Sequence, residues 1–445
     1  MTKVITYGTY DLLHYGHVRL LERAKALGDY LIVGVTSDSY DLTRGKINAS
    51  QTLMERIEAV RATGLADEII VEEYEGQKID DIKRFDVDIF TVGSDWKGHF
   101  DYLNEFCKVV YLDRTEGVSS TEIRSGERTV RIGIVGELPA LEKFRQECQY
   151  VNGATISAVY SLDNRLLSQE LKSLPTYEDY GRFLNECDAV YIYSNSQYHF
   201  EQAKQAICAH KHVLCEAPLA LNIAQWKELK QLAEQHQVVL MDSLKTAYST
   251  AYYRLLLMVK SGIIGEVVSV DAICTSQSNL HMSRAENFPH IWNSMSEWGP
   301  TAMLPIFQLL GTDYKEKTIT TRIQEGSNDF DLFTKIAFVY PHGVASLKIG
   351  QGVKSEGELV ISGTEGYIYV PAPWWKTDYF EVRYENPLNN KRYFYQLDGE
   401  GIRYEIVSFV KTIQRGTDYR YIDDNISAAI VRLMEDFYNH KYIKI

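Results

Sequence analysis

The stretch Gly8-Thr-Tyr-Asp-Leu-Leu-His14-Tyr-Gly16-His17 decides how this chain is read. It lies between an apolar run, Val4 to Tyr7, that reads as a strand and a segment, His17 to Leu27, whose apolar spacing reads as a helix. Gly28 stops that helix and Tyr30 to Val35 reads as the next strand, so the chain opens with a βαβ unit. The turn therefore falls at the carboxyl end of the first strand, where open α/β sheets bind ligands. There the unsatisfied N–H groups of the helix N-terminus and the helix dipole favour phosphate. His14 and His17 can project toward one point, and Gly16 between them lets a phosphate approach the backbone. Two imidazoles so placed can donate hydrogen bonds to triphosphate oxygens and stabilise the charge of a pentacovalent phosphorus. An isolated pair of histidines at a helix start also fits a surface or capping role. Here Thr9 and Asp11 precede the pair, and a second hydroxyl-rich helix start, Arg114 to Thr121, follows the last strand of the same region.

Outward from this turn, a helix at Leu53 to Arg61 and strands at Glu68 to Val71, Ile89 to Val92 and Val109 to Leu112 complete one parallel-sheet domain over residues 1–127. A polar stretch, Arg124 to Thr129, ends it. At Val130 the chain begins again: VRIGIVGELPALEKF, with strands at Thr155 to Tyr160 and Ala189 to Tyr193, predicts a second α/β domain over 130–247. Beyond it, VVSVDAIC, FTKIAFVY, VASLKIG and GELVISG predict an appended antiparallel sheet, and Arg403 to His440 reads as helical and packed back on that domain, 248–445.

The 47 basic and 60 acidic side chains among 445 residues leave a formal charge of −13, which excludes a chain built to coat nucleic acid or anionic membrane. A polyanionic ligand must be held by a local basic site. The 6 cysteines form no CxxC pair, so neither a zinc site nor a disulfide framework is expected. No basic-then-apolar leader and no run of 18 apolar residues occurs, and a cytoplasmic protein without membrane insertion is expected.

The segments TYGTYDLLHYGHVRLLERAKALGDYLIVGVTSD, VGSDWKGHFDYL and VVYLDRTEGVSSTEIR resemble the glycerol-3-phosphate cytidylyltransferase family of the HxGH nucleotidyltransferase superfamily, from Lys3 to about Arg124. The resemblance implies that His14 and His17 contact the triphosphate, with Gly8, Thr9, Tyr10 and Gly16 around it and Asp11 beside the phosphates and a Mg²⁺ ion. It implies charge neutralisation by Lys46 and Arg114, substrate-phosphate contacts from Arg44 and Arg56, and a nucleotide-binding role for Asp95 and Trp96. Thr115, Gly117, Ser119, Ser120 and Thr121 match the motif that binds cytidine and phosphates. Arg44 stands where the family tends to have lysine, and Ser94 where aspartate is frequent. The implied reaction is CMP transfer from CTP to a polyol phosphate, glycerol 3-phosphate first and glycerol 2-phosphate as an alternative, for a surface polymer such as teichoic acid or capsule.

From Arg131 onward, RIGIVG, CDAVYIYSNSQYHFEQAKQAICAHKHVLCEAPLALN, KSGIIGEVVSV, EWGPTAMLPIFQLLG and GELVISGTEGYIYV resemble the Gfo/Idh/MocA oxidoreductase family. The resemblance implies a Rossmann domain coupled to an open antiparallel sheet. The whole fold is then α/β: a Rossmann-like nucleotidyltransferase domain fused to a second Rossmann-like domain with an α+β sheet domain. The departures fall on the chemistry. The glycine turn keeps Gly136 but has Leu138 and Leu141 at its other two positions, and a leucine at the second occupies cofactor space. Glu216-Ala217-Pro218 lacks the family's lysine, Gly299-Pro300-Thr301 lacks its histidine, and Leu304 replaces a polar residue. NAD(P) is therefore not an expected cofactor; a bifunctional cytidylyltransferase/reductase is the alternative. Lys245 and His199 read as structural, His281, His290 and Trp292 as remnants of a pocket, and Trp374-Trp375 as packing or an oligomer surface. A homo-oligomer, dimer or higher, is expected.

Overall fold

Strands covered by helices on two faces must be apolar on both, and the first unit obeys this. β1 (Lys3–Gly8), β2 (Tyr30–Thr36) and β4 (Ile89–Gly93) are buried along nearly their whole length. With β3 (Glu68–Glu72) and β5 (Lys108–Leu112) they form a parallel sheet in the order β3-β2-β1-β4-β5. Val4, Leu31, Val33 and Val35 point to one face, where α1 (Tyr15–Lys25) and α2 (Leu53–Ala62) add Leu21, Ala24 and Val60. Their neighbours Ile5, Tyr7, Ile32 and Phe90 point to the other, toward Ile82 of α3 (Gln77–Phe85). The order reverses between β1 and β4, which sets the ligand crevice outside the carboxyl ends of those two strands.

This computed structural model describes residues 1–37, 49, 51, 53–74, 76–113, 129–136, 140–161, 167–277, 293–325, 330–395, 397–416 and 418–445. The chain divides into two units, one over Met1–Thr129 with Tyr150–Gly153 and one over the remainder. Arg44, Lys46, Arg114, Thr115, Gly117, Ser119, Ser120, Thr121, Leu138, His281, His290 and Trp292 lie outside the described residues.

The second unit repeats the parallel theme. β6 (Val130–Val135), α4 (Ala140–Cys148), β7 (Ala154–Tyr160), β8 (Thr176–Tyr177), β9 (Ala189–Ile192), α5 (Ser196–Cys208), β10 (His212–Glu216), α6 (Ile223–Gln235) and β11 (Leu240–Ser243) build a sheet ordered β11-β10-β9-β6-β7-β8. After α7 (Lys245–Tyr248) and α8 (Thr250–Lys260) comes β12 (Val267–Thr275), then α9 (Ser294–Leu310). The larger sheet adds β13 (Glu316–Ile323), β14 (Asp331–Val339), β15 (Val344–Gly350), β16 (Leu359–Gly363), β17 (Tyr367–Val370), β18 (Tyr379–Arg383) and β19 (Lys391–Phe394). Helices α10 (Ile402–Arg415) and α11 (Asp424–Tyr438) and a short edge strand, β20 (Ile443–Lys444), close the chain. Its neighbouring pairs are antiparallel except β12 with β15 and β13 with β20, which run parallel, so the sheet is mixed. Hydrogen bonds from Trp226 Nε1 to Ser427 Oγ at 2.9 Å and from Ser427 Oγ to Asp242 Oδ1 at 2.9 Å tie α11 to the six-stranded sheet.

Trp374 and Trp375 are both buried, and Trp374 Nε1 donates to the Ile273 carbonyl at 3.1 Å. They are packing residues, and burial removes them from any oligomer surface. All six cysteines are free thiols, four of them buried. Among the described residues no helix is long and apolar enough to cross a membrane.

Candidate active site in the first unit

His14 is the N-cap of α1, with extended backbone and Nδ1 accepting from the Gly16 amide at 3.1 Å. An imidazole whose Nδ1 accepts carries its proton on Nε2, so that nitrogen is a donor. The His17 ring stacks on it, with centroids 3.8 Å apart and planes at 19°. The first turn of α1 holds no acidic side chain while its last turn holds Arg23 and Lys25, a charge distribution that leaves the N-terminus open to an anion.

The loop that delivers the pair is held in an unusual path. Tyr10 and Leu12 both take left-handed backbone, φ 52° and 47°, which non-glycine residues adopt only under constraint. The constraint is visible. The Gln51 amide donates to Asp11 Oδ1 at 3.0 Å and Leu12 N donates to Gln51 Oε1 at 2.9 Å. Arg56, with no exposed surface, donates from Nη1 to the carbonyls of Thr9 and Thr36, both at 2.8 Å, and from Nε to that of Gln51 at 3.2 Å. Arg56 was expected at the substrate phosphate; in the structure its Nη1 and Nε meet loop carbonyls. A fully buried guanidinium with these donors committed to loop carbonyls acts as a clamp that sets the turn after β1 against β2 and α2.

A cavity of about 270 Å³ opens at the β1/β4 reversal. Gly8, Thr9, Tyr10, Asp11 and His17 line one side, and Asp95 and Trp96, in the 3₁₀ turn Ser94–Trp96 after β4, line the other. His14 stands behind His17 rather than on the lining. Trp96 is partly exposed, its ring leaning on His99 and Phe100 with centroids at 5.4 and 5.7 Å.

Sequence reasoning missed Lys78. Its ammonium lines the cavity, buried, in an ion pair with the buried Glu72 and 4.5 Å from the centre of the Tyr7 ring. Glu72 in turn accepts from Thr36 Oγ1 at 2.9 Å, and Tyr7 donates its hydroxyl to Asp81 at 3.0 Å. The helix that carries Lys78 packs Ile79, Ile82 and Phe85 on the sheet and buries Gln77, Lys78 and Asp81 beside them; a lysine on such a helix reads from sequence as a solvated charge.

In the second unit the corresponding strand ends are filled. Ser243 Oγ lies 3.1 Å from Glu216 Oε2 and 2.9 Å from Glu405 Oε2, and burial raises both carboxyls, Glu216 to about 7. Ala217, Pro300 and Leu304 are buried. His199 is fully buried with Nδ1 2.8 Å from the Pro218 carbonyl and Nε2 2.8 Å from the Ser194 carbonyl, and burial lowers its pKa. Lys245 pairs with Glu400 at 3.0 Å.

A cytidylyltransferase-like family model matches residues 5–126. Over 124 residues the chain is 51% identical to the glycerol-3-phosphate cytidylyltransferase of Bacillus spizizenii, covering 28% of this chain and 95% of that relative. The glycerol-3-phosphate cytidylyltransferase of Staphylococcus aureus is 48% identical, with 93% of its length covered. The chain belongs to the glycerol-3-phosphate cytidylyltransferase family. That membership rests on the first unit; an oxidoreductase family model with an NAD-binding Rossmann fold matches residues 130–243. A 3-ketoreductase from Actinomadura kijaniata solved with TDP-benzene and NADP superposes at TM-score 0.61, covering 72% of this chain and 99% of that chain at 17% identity. A biliverdin reductase from Synechocystis gives TM-score 0.58 at 16% identity over 70% of this chain and 98% of that one. At such identities the likeness is one of fold. The two resemblances read from the sequence both hold.

Proposed function

We propose that the first unit transfers CMP from CTP to glycerol 3-phosphate, yielding CDP-glycerol and pyrophosphate. The observation that carries this reading is the stacked His14–His17 pair at the N-terminus of α1, of which His17 lines the cavity at the sheet's reversal point. A phosphomonoester oxygen of the acceptor attacks the α-phosphorus in line; the new P–O bond forms as the α–β anhydride bond breaks, and pyrophosphate leaves. The nucleophile is already an anion, so no general base is required. His14 Nε2–H and His17 hold phosphate oxygens and offset the charge of the transition state, aided by the α1 N-terminus. The Arg56–Gln51–Asp11 framework keeps both imidazoles in place before substrate arrives. Lys78, which also lines the cavity, neutralises the acceptor phosphate or reads its hydroxyls. Lys46 and Arg114 complete the charge neutralisation.

Asp11 and Asp95 are the carboxylates that line the cavity, and a Mg²⁺ ion that keeps water and substrate phosphates as its other ligands fits one or two carboxylates. When bound with CTP it withdraws charge from the phosphates. The second unit is read as non-catalytic and retained for assembly into a homo-oligomer, and light scattering on the full chain tests that: a monomer ends the assembly reading. For the transferase, the test is pyrophosphate release with CTP and Mg²⁺, comparing glycerol 3-phosphate, glycerol 2-phosphate, ribitol 5-phosphate and erythritol 4-phosphate. Turnover with glycerol 3-phosphate alone supports the proposal; preference for another acceptor reassigns the product, and no turnover with any ends it.

A further inference from the structure

Three ammonium groups of the second unit converge on one carboxylate. Lys143 on α4, Lys245 at the start of α7 and Lys376 at the end of the 3₁₀ turn Trp374–Lys376 approach Glu400 at 2.5, 3.0 and 3.2 Å. Among the described residues, none of the three lysines makes an ion pair with any other carboxylate. Their side chains keep 36%, 35% and 41% exposure while that of Glu400 keeps 18%, so the cations face solvent around a covered anion.

The backbone that presents Glu400 is constrained. Gly399, Glu400 and Gly401 are three successive left-handed residues, φ 61°, 52° and 89°. At Gly401 an added Cβ would lie 2.0 Å from the Lys245 carbonyl oxygen, so the strap passes α7 in direct backbone contact. A glutamate is disfavoured in this conformation, and burial opposes its ionisation, yet the hydrogen bonds and charges of Lys143, Lys245 and Lys376 hold its carboxyl at about 2. It is charged throughout the physiological pH range.

The charges do not balance. Three cations against one carboxylate leave two positive charges on a chain of net charge −13. Lys245 also faces Glu216 and Glu405, but burial raises both carboxyls and favours their neutral forms. Glu147, beside Gly399, is committed to Arg403 at 2.8 Å. A group with two or more negative charges and several oxygens matches the three lysines better than a single carboxylate does.

We propose that Lys143, Lys245 and Lys376 form a binding site for a phosphate-bearing small molecule, and that Glu400 is the internal anion that occupies it until such a ligand displaces the Asp398–Gly401 turn. This site lies wholly within the second unit and gives that unit a ligand that requires neither the glycine turn nor the missing lysine and histidine. Two sources share this chemistry: the phosphates handled by the first unit, and free phosphate.

Calorimetric titration of the full chain at constant ionic strength tests this, with inorganic phosphate, pyrophosphate and CDP-glycerol as probes and chloride as the balancing ion. Glu400→Gln removes the competing charge, and at least one probe is expected to bind about tenfold or more tightly than to the unaltered chain. Adding Lys245→Ala and Lys376→Ala to Glu400→Gln must abolish that gain, which separates this site from the cavity of the first unit. A gain with pyrophosphate or CDP-glycerol identifies the first unit's products as the source; a gain with phosphate alone identifies the free ion. A folded Glu400→Gln chain that binds no probe more tightly overturns the proposal. If that variant does not fold, amine acetylation of the unaltered chain read by mass spectrometry decides. Pyrophosphate must then shield Lys143, Lys245 and Lys376 together, and unchanged labelling of all three overturns it.

Discussion

Each unit begins with an apolar strand that turns into a helix, and the two turns do opposite work. After β1 the chain passes through left-handed Tyr10 and Leu12, is clamped by Arg56, and sets His17 at the edge of a cavity with the His14 ring stacked on it. After β6, Gly136 takes φ 132° because an added Cβ would lie 2.2 Å from the Tyr193 carbonyl oxygen, and Leu141, at the third position of the glycine motif, is fully buried in the core. The glycine that survives is the one the backbone itself requires. Leu141 is a core residue, and the strand ends beyond are plugged by Glu216, Ser243 and Glu405. A shared fold therefore says little about shared chemistry; polar groups aimed into an open cavity say more.

The sharpest way to break this contrast is His17→Ala. If the imidazole pair is the catalytic centre, pyrophosphate release falls by about 10²–10³-fold, the loss typical of one transition-state donor, with the melting temperature unchanged. A wild-type rate in that variant would put the first turn in the same class as the second. Next in size is Arg56→Ala. It leaves the carbonyls of Thr9, Thr36 and Gln51 without their buried donor, and the urea-unfolding free energy of the first unit is expected to drop by about 3–5 kcal/mol. Arg56→Lys restores only part of this, because one ammonium cannot replace a planar fork that reaches three acceptors. If Arg56→Ala instead keeps its stability and raises only the acceptor KM, the clamp assignment is wrong and the arginine binds substrate phosphate after all.

These residues also mark what the sequence could and could not reveal. Strands β1, β2 and β4 and helix α1 were legible because their apolar spacing is strong, and the His14/His17 turn because a histidine pair at a strand-to-helix junction has a chemical meaning at that place. Helix α3 escaped although Ile79, Ile82 and Phe85 form a short apolar stripe, and the polar residues buried beside them, Gln77, Lys78 and Asp81, read from sequence as solvated. Lys78 escaped with it. The clamp made by Arg56 was not legible, because a sequence shows a charge without showing whether that charge meets solvent or backbone carbonyls. The convergence of Lys143, Lys245 and Lys376 on Glu400 joins residues up to 257 positions apart (400 − 143), which no local pattern can signal.

A smaller effect separates the two units by pH. In the second unit burial raises Glu216 to about 7, against the opposing influence of Lys245 and Ser243. The folded state thus holds the proton more tightly than the unfolded chain does. The stability this group contributes is complete below its ordinary pKa near 4.5 and is lost as pH climbs to about 7. Glu216→Gln cannot ionise, so it should be more stable than the unaltered chain by about 1–3 kcal/mol at pH 8, with the difference vanishing near pH 4.5. Thermal melts of the second-unit transition across that range check the slope, and a pH-independent difference would mean that Glu216 is held charged by Lys245.

The smallest expected effect is none. A ligand that binds only the folded state at about 100 times its Kd stabilises by about 2.7 kcal/mol, so about 1 mM NADPH would shift the second-unit melt visibly even at a Kd of about 10 μM. No shift is expected in the chain with Glu400 intact. Leu138 stands in the sequence where the glycine motif leaves room for pyrophosphate, and Leu141 cannot leave the core to let the backbone open. Replacing Leu138 by glycine sharpens the test. If that single change brings NADPH binding with it, the second turn has kept its cofactor geometry and lost only the room for it. If it does not, the loss extends to Ala217 and the buried carboxyls, and the second unit has been rebuilt from the turn to the strand ends.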